Sequence, residues 1–194
     1  MKSLFFKPFE RYSGTPLLLV GLAFTALGIF MSYAFNARFD GVLDFHTVES
    51  VSWEQAIKES LIDIVSLFLF LYLAAALVYK RTRPIDILNT VLVARAPMYL
   101  LPLLNVNNYM TQAANGVISA TKNVENGAEE LLGHLPFLLI TVLVLLAAVV
   151  WFVALLVNGY KTASNAKGAL PIVYFIVALL LAETLSKVLI HFFK

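Results

Sequence analysis

Asn158–Ile190 reads NGYKTASNAKGALPIVYFIVALLLAETLSKVLI and contains the last long apolar run of the chain together with its polar approach. Glu183 and Lys187 stand four residues apart in the apolar part, so they share one face of a helix. Lipid is unfavourable for a carboxylate or an ammonium, and both need partners inside the protein or in a water-filled cavity. The stretch therefore predicts a membrane helix that takes part in a polar network.

The composition extends the membrane assignment to the whole chain. Of 194 residues, 60% are hydrophobic and 13% are charged, against about half and about a quarter in an ordinary soluble domain. We predict a single membrane domain over residues 1–194. The chain has no cysteine, which excludes disulfides, thiolate zinc sites and a thiol nucleophile. A net charge of +2 without a long basic run argues against a nucleic-acid partner.

Five apolar runs approach the roughly 20 helical residues that a bilayer core of about 30 Å requires. The predicted spans are 16–35, 61–79, 85–104, 135–157 and 169–193. The first is longer than the roughly 7–15 apolar residues of a cleavable signal peptide, so we expect an uncleaved helix. The third contains Pro97 and Pro102 and should be a kinked, buried helix. The predicted fold class is an all-α bundle of five transmembrane helices.

The positions of lysines and arginines predict the orientation, because these residues are in excess on the cytoplasmic side. Eight of them precede the first span or lie in the two short connections, and only four fall on the opposite side. The eight are Lys2, Lys7, Arg11, Lys80, Arg81, Arg83, Lys161 and Lys167. We therefore expect an integral membrane protein with a cytoplasmic N-terminus and its C-terminus outside.

The two long connections, 36–60 and 105–134, then lie on the outer side. Each carries a weak apolar stripe at near-helical spacing, which predicts a short amphipathic helix covering the bundle or lying on the membrane. Ser50 or Ser52 can cap the first of these helices. Gly116 is expected to interrupt the second, and Asn126-Gly127 to end it.

Four ionisable residues fall within the predicted spans: Asp63, Arg95, Glu183 and Lys187. Their depths, at about 1.5 Å per helical residue, favour two pairs, Arg95 with Glu183 and Asp63 with Lys187. Such a network is electrically neutral, which a low-dielectric interior tolerates best. It either fixes which helices pair or forms a pathway for a proton, ion or solute. Lys187 can also reach the interface by itself.

Small residues in the first span are a second packing signal. Gly21, Gly28 and Ser32 permit close approach of a neighbouring helix, which matters in lipid because hydrophobicity does not drive helices together there.

Catalytic motifs are missing from the sequence. The three histidines are scattered, and none has a neighbour at metal-ligand spacing. The sequence contains no nucleophile elbow, phosphate-binding loop or dinucleotide-binding glycine motif. We predict a non-enzymatic protein without a metal or cofactor.

Two segments resemble the Yip-domain (Yip-one, or Ypt/Rab-interacting) family. They are IDIL at 85–88 leading to ARAP at 94–97, and NGYKTA at 158–163 with KG at 167–168. The resemblance covers about the whole chain and implies a five-span protein with a cytoplasmic N-terminus. Eukaryotic members are linked to Rab-type GTPase binding, vesicle traffic and membrane shaping. The sequence has no Asp-Leu-Tyr-Gly-Pro motif, and its short form is more similar to bacterial members, which implies a bacterial cytoplasmic membrane.

The function expected from these features is that of a membrane-embedded partner or organiser. Its partners would be the lipid bilayer and either another membrane protein or a second copy. The residues expected to form its cytoplasmic contact face are Arg81, Arg83, Tyr160, Lys161 and Lys167, whose cations also attract lipid headgroups. The alternative is a small permease or ion-coupled transporter that uses Arg95, Glu183 and Lys187, although five spans do not divide into the inverted halves of many transporters.

Overall fold

The structure is a computed structural model that describes residues 7–122 and 127–193. Its elements are a 3-10 turn Pro8–Glu10, α1 Thr15–Ala34, β1 Ala37–Arg38, β2 His46–Thr47, α2 Trp53–Val78, α3 Pro84–Ala94, a 3-10 segment Met98–Asn108, α4 Tyr109–Lys122, α5 Gly127–Ser164 and α6 Leu170–Phe192. Five stretches of the described chain are long and apolar enough to cross a membrane: Thr15–Ala34, Trp53–Val78, Pro84–Ala120, Leu132–Ser164 and Leu170–Phe192. The all-α, five-span prediction is confirmed.

The third span is the centre of the bundle. Its first helix, α3, packs against α1, α2 and α5, while α6 packs mainly along α2. Of the five candidate spans it is the most buried. The other four turn long apolar faces outward, which is the arrangement expected of helices that meet lipid.

The small residues of α1 face the third span. The buried stripe of α1 consists of Leu17, Gly21, Thr25, Gly28 and Ser32. A Cβ atom on Gly21 would lie 2.6 Å from Cβ of Leu92, and one on Gly28 would overlap the ring of Tyr99. The two helices therefore approach as closely as the sequence predicts, because the glycines leave room for larger side chains of the third span.

The third span is interrupted where its prolines lie. Helix α3 ends at Ala94, and the chain continues as 3-10 turns from Met98 because Pro97 and Pro102 cannot donate the next helical hydrogen bonds. Farther along, Asn105 connects the end of α1 to the start of α4, since its Nδ2 donates to Phe35 O at 2.7 Å and its Oδ1 accepts from Thr111 N at 3.1 Å. The predicted kink is present, but the apolar stretch continues past residue 104 into α4.

The first outer connection differs from the prediction. Residues 53–60 are the first turns of α2 and not a separate amphipathic helix, because Ser52 Oγ accepts from Gln55 N at 3.2 Å and no helix breaker follows. The preceding residues instead form an antiparallel hairpin in which Ala37 pairs with Thr47 and Arg38 with His46. We call residues 36–52 the outer hairpin, after the side of the membrane that the sequence predicts for them.

The second outer connection contains α4, as predicted, but its surroundings differ. Helix α5 has 38 residues, about 57 Å at the helical rise, so it extends beyond the predicted span 135–157 at both ends. Gly116 does not interrupt α4. Its missing side chain makes room for His134 of α5, whose Nε2 would lie 2.5 Å from a Cβ there. The predicted end of the helix at Asn126 lies outside the described residues.

Candidate functional site

The most deeply buried charges are Asp63 of α2 and Arg95 at the C-terminal end of α3. Arg95 Nη2 donates to Asp63 Oδ2 at 2.8 Å, and both side chains are 0% exposed. Arg95 Nε also donates to the hydroxyl of Tyr99 at 3.2 Å. The guanidinium carbon lies 5.7 Å from the ring centre of Phe39 and 5.4 Å from that of Tyr99. The cation is therefore held by one ion pair, one hydrogen bond to a neutral hydroxyl and two aromatic rings.

Glu183 and Lys187 form a separate cluster beside the outer hairpin. Lys187 Nζ lies 3.0 Å from Glu183 Oε1 and 2.9 Å from Asp44 Oδ2. The predicted pairs of Arg95 with Glu183 and of Asp63 with Lys187 are therefore wrong. The reason is topological, since α6 packs mainly along α2 and not along α3. Lys187 is 48% exposed, as expected for a lysine that reaches towards the interface.

The outer hairpin connects these two clusters. Phe39 and Val42 are buried, and Phe39 lies against Arg95. Leu43 N donates to Glu183 Oε2 at 2.8 Å. A Cβ on Gly41 would be only 2.8 Å from Glu183 Oε1, so glycine allows the hairpin backbone to approach the carboxylate. The hairpin thus covers the buried ion pair and is fastened to α6.

A third cluster joins the hairpin to α2. Arg38 Nε donates to Glu59 Oε1 at 2.7 Å, and its Nη2 lies 3.0 Å from Asp40 Oδ1. Both Arg38 and Glu59 are buried. Both residues fall in the connection 36–60, and no pair was predicted for them. The available signal was that Glu59 precedes Asp63 by four residues, which puts both carboxylates on one face of the same helix.

Of the residues predicted to form the cytoplasmic contact face, the four cations are exposed and the tyrosine is buried. Arg81, Arg83, Lys161 and Lys167 are exposed. Tyr160 is only 2% exposed, its hydroxyl donates to Ala74 O at 3.4 Å, and its ring centre lies 5.5 Å from that of Phe175. Because α5 continues to Ser164, this residue lies in a helix interface and not on the surface.

The N-terminal turn contacts the end of α5 near Lys161. Glu10 Oε1 accepts from Lys7 Nζ at 2.9 Å and from Asn158 Nδ2 at 3.2 Å. The hydrogen bond from Lys7 holds the pKa of the Glu10 carboxyl below its ordinary value. This contact connects the start of the described chain to the end of α5.

The interior contains few features of a water-filled pathway. An apolar cavity of about 510 Å³ between α1, the third span and α5 has neither Asp63 nor Arg95 in its lining. Asp63 Oδ1 and Arg95 Nη1 are buried without a hydrogen-bond partner among the described residues. Within the same residues, no group of three or more histidines and acids is arranged to hold a metal ion.

The fold and this network define a polytopic, α-helical membrane protein with five candidate spans. No family model, curated protein or solved structure matches the chain. The similarity to the Yip-domain family is therefore carried only by the short segments quoted above.

Proposed function

We propose that the protein is a non-enzymatic, membrane-embedded organiser that holds a partner membrane protein at its cytoplasmic face, as the Yip-like segments imply. The observation that carries this proposal is the closed ion pair, with Asp63 and Arg95 both 0% exposed. A transport pathway requires charges that water or the transported ion can reach. A pair enclosed by helices and covered by the outer hairpin is better suited to fixing the arrangement of α2 and the third span.

The cytoplasmic face supplies the contact surface in this proposal. Arg81 and Arg83 precede α3, and Lys161 and Lys167 lie at the end of α5 and after it. All four side chains are exposed, so they can bind acidic groups without disturbing the bundle. An acidic juxtamembrane segment of a second protein fits this charge, and complementary charge also steers association.

Site-specific photo-crosslinking tests the proposal. A photoreactive amino acid is placed at Arg81 or Lys167 on the cytoplasmic face, and at exposed Lys58 on the opposite side as the matched control. We expect one protein adduct of defined mass from the first two positions and none from the control. Charge reversal with Arg83→Glu and Lys161→Glu should abolish the adduct.

The same experiment separates the possible partners. A partner that is a second copy adds another 21.5 kDa, whereas a different protein adds its own mass. The proposal is contradicted if neither cytoplasmic position gives an adduct while the variants are present in the membrane at normal level.

A permease or ion-coupled transporter is the second candidate. The unpartnered Asp63 Oδ1 and Arg95 Nη1 favour it, because a water or an ion could satisfy both atoms. Proteoliposomes that contain a pH-sensitive dye distinguish the two functions. Proton flux that is present in the wild type and lost in Glu183→Gln, at equal incorporation, supports transport, and no flux above that of empty liposomes argues against proton coupling.

A further inference from the structure

We infer that the cytoplasmic half of the bundle binds one phospholipid with an ethanolamine headgroup. One acyl chain lies in the apolar groove between α1, the third span and α5, and the headgroup lies in an adjoining polar cavity at the start of α3. This site is separate from the ion-pair network. It shares Arg83 with the proposed partner surface, but it does not require a partner protein.

The apolar groove has the length of an acyl chain in one leaflet. Its volume is about 510 Å³, within the range of roughly 300–1,000 Å³ for small-molecule sites. Along α1 its lining extends from Pro16 to Leu27, about 16 Å at the helical rise. This is half of a bilayer core of about 30 Å. The groove therefore extends from the cytoplasmic headgroup region to the middle of the membrane.

A polar cavity of about 150 Å³ continues the groove at its cytoplasmic end. Tyr12 and Leu17 line both spaces, so the two are adjacent. The polar side chains that line the smaller cavity are Ser13, Arg83, Asp86, Asn89, Thr90 and Thr162. A ligand with an apolar tail and a compact polar head fits an apolar groove that leads into a polar cavity.

Asn89 indicates that a donor is missing from the polar cavity. The residue is 1% exposed, and its Nδ2 donates to Gly14 O at 3.0 Å. Its Oδ1 is buried and has no hydrogen-bond partner among the described residues. A buried acceptor without a donor is unfavourable. An ammonium group carries three N–H donors and would satisfy it.

The charges around the cavity select a headgroup that carries both signs. Arg83 Nε and Asp86 Oδ2 are 4.0 Å apart, a loose contact that leaves both groups available for a ligand. The N-terminus of α3 at Pro84 has no side-chain cap, and the positive end of the helix dipole together with Arg83 favours a phosphate. Asp86 and Asn89 Oδ1 then face the ammonium. A glycerol headgroup lacks the cation that Asp86 requires.

Native mass spectrometry of the purified full-length protein tests the inference. The protein is delipidated and then offered equal amounts of phosphatidylethanolamine and phosphatidylglycerol with identical acyl chains. We expect one retained phosphatidylethanolamine per chain. Asp86→Asn should lower its retention relative to phosphatidylglycerol about tenfold, the effect of losing one hydrogen bond to a charged group. Arg83→Gln is the second headgroup variant, in case the first does not fold.

A pair of tryptophan substitutions tests the groove. Val20 lines it, whereas Leu22 is an exposed residue of the same helix outside the lining. Val20→Trp should abolish lipid retention, and Leu22→Trp should leave it unchanged. The inference is overturned if both lipids are retained equally, if phosphatidylglycerol is preferred, if Val20→Trp retains lipid as the wild type does, or if a second copy of the chain is retained in place of lipid.

Discussion

Removal of one charge of the buried pair should destabilise the protein far more than removal of both. Asp63→Leu leaves the Arg95 guanidinium at a site with 0% exposure, where its remaining partners among the described residues are the Tyr99 hydroxyl and two rings. Breaking a buried ion pair in this way costs about 3–5 kcal/mol of unfolding free energy, whereas apolar replacement of both partners is often neutral. We expect Arg95→Met to lose a similar amount, and the double variant to lose less than either single one.

Unfolding in mixed micelles with increasing dodecyl sulfate measures these differences. The chain has two tryptophans, Trp53 at the start of α2 and Trp151 in the middle of α5, whose fluorescence reports unfolding of both helices. Ser66→Ala is the matched control because Ser66 is buried on α2 close to Asp63 and its Oγ has no hydrogen-bond partner among the described residues. We expect this control to leave the unfolding free energy unchanged or to raise it by up to about 1–3 kcal/mol, because it removes a buried hydroxyl that has no partner.

The double-mutant cycle yields the energy of the pair itself. A coupling energy of at least about 2 kcal/mol is expected for two groups in direct contact. If the two single losses simply add within about 0.5 kcal/mol, then Asp63 and Arg95 do not act as a unit, and the structural role assigned to them is refuted.

Three further predictions address helix packing, the outer hairpin and the orientation. Gly28→Ala should lower the unfolding free energy by about 1–3 kcal/mol because the new methyl group overlaps Tyr99. Gly133→Ala is the control, since a Cβ there meets nothing within 4 Å. It should be neutral or stabilising by up to about 1 kcal/mol. Glu183→Leu should accelerate hydrogen exchange at the Leu43 amide, which donates to that carboxylate, and unchanged exchange would mean that the hairpin is not fastened there. The chain has no cysteine, so single cysteines can report the orientation. Lys167→Cys should react with an impermeant maleimide only from the cytoplasmic side, and Glu54→Cys only from outside. The reverse pattern would contradict the predicted orientation.

The spans were predictable because lipid requires long apolar helices, but their ends were not. Hydropathy detects where apolar residues stop, whereas a helix continues as long as its backbone is satisfied. Tyr160 illustrates the difference. It follows Phe152 and Leu156 at intervals of four residues, and all three are buried, so the helical repeat of α5 extends through a segment that its polar composition assigns to a loop.

The charged residues of the network were also predictable, but their pairing was not. Any ionisable residue in an apolar run is visible in the sequence. Which of them meet depends on the helix neighbours and on the outer hairpin, which supplies Asp44 to Lys187 and Phe39 to Arg95. Depth along separate helices says nothing about these lateral relationships. A hairpin with two residues in each strand is likewise too short to give a recognisable strand pattern.

The ion pair, the break in the third span and the outer hairpin depend on one another. An interrupted helix is tolerated at membrane depth only where protein covers it, and the break begins at Arg95 itself. Tyr99 packs against Gly28 of α1 and covers one side of the break. The ring of Phe39 in the outer hairpin packs edge-on against the same tyrosine, with 5.9 Å between the ring centres. Asp63 holds the remaining side to α2. A pathway through this point would have to displace the hairpin, separate the ion pair and expose the interrupted backbone together, so the enclosed pair favours a static, organising role.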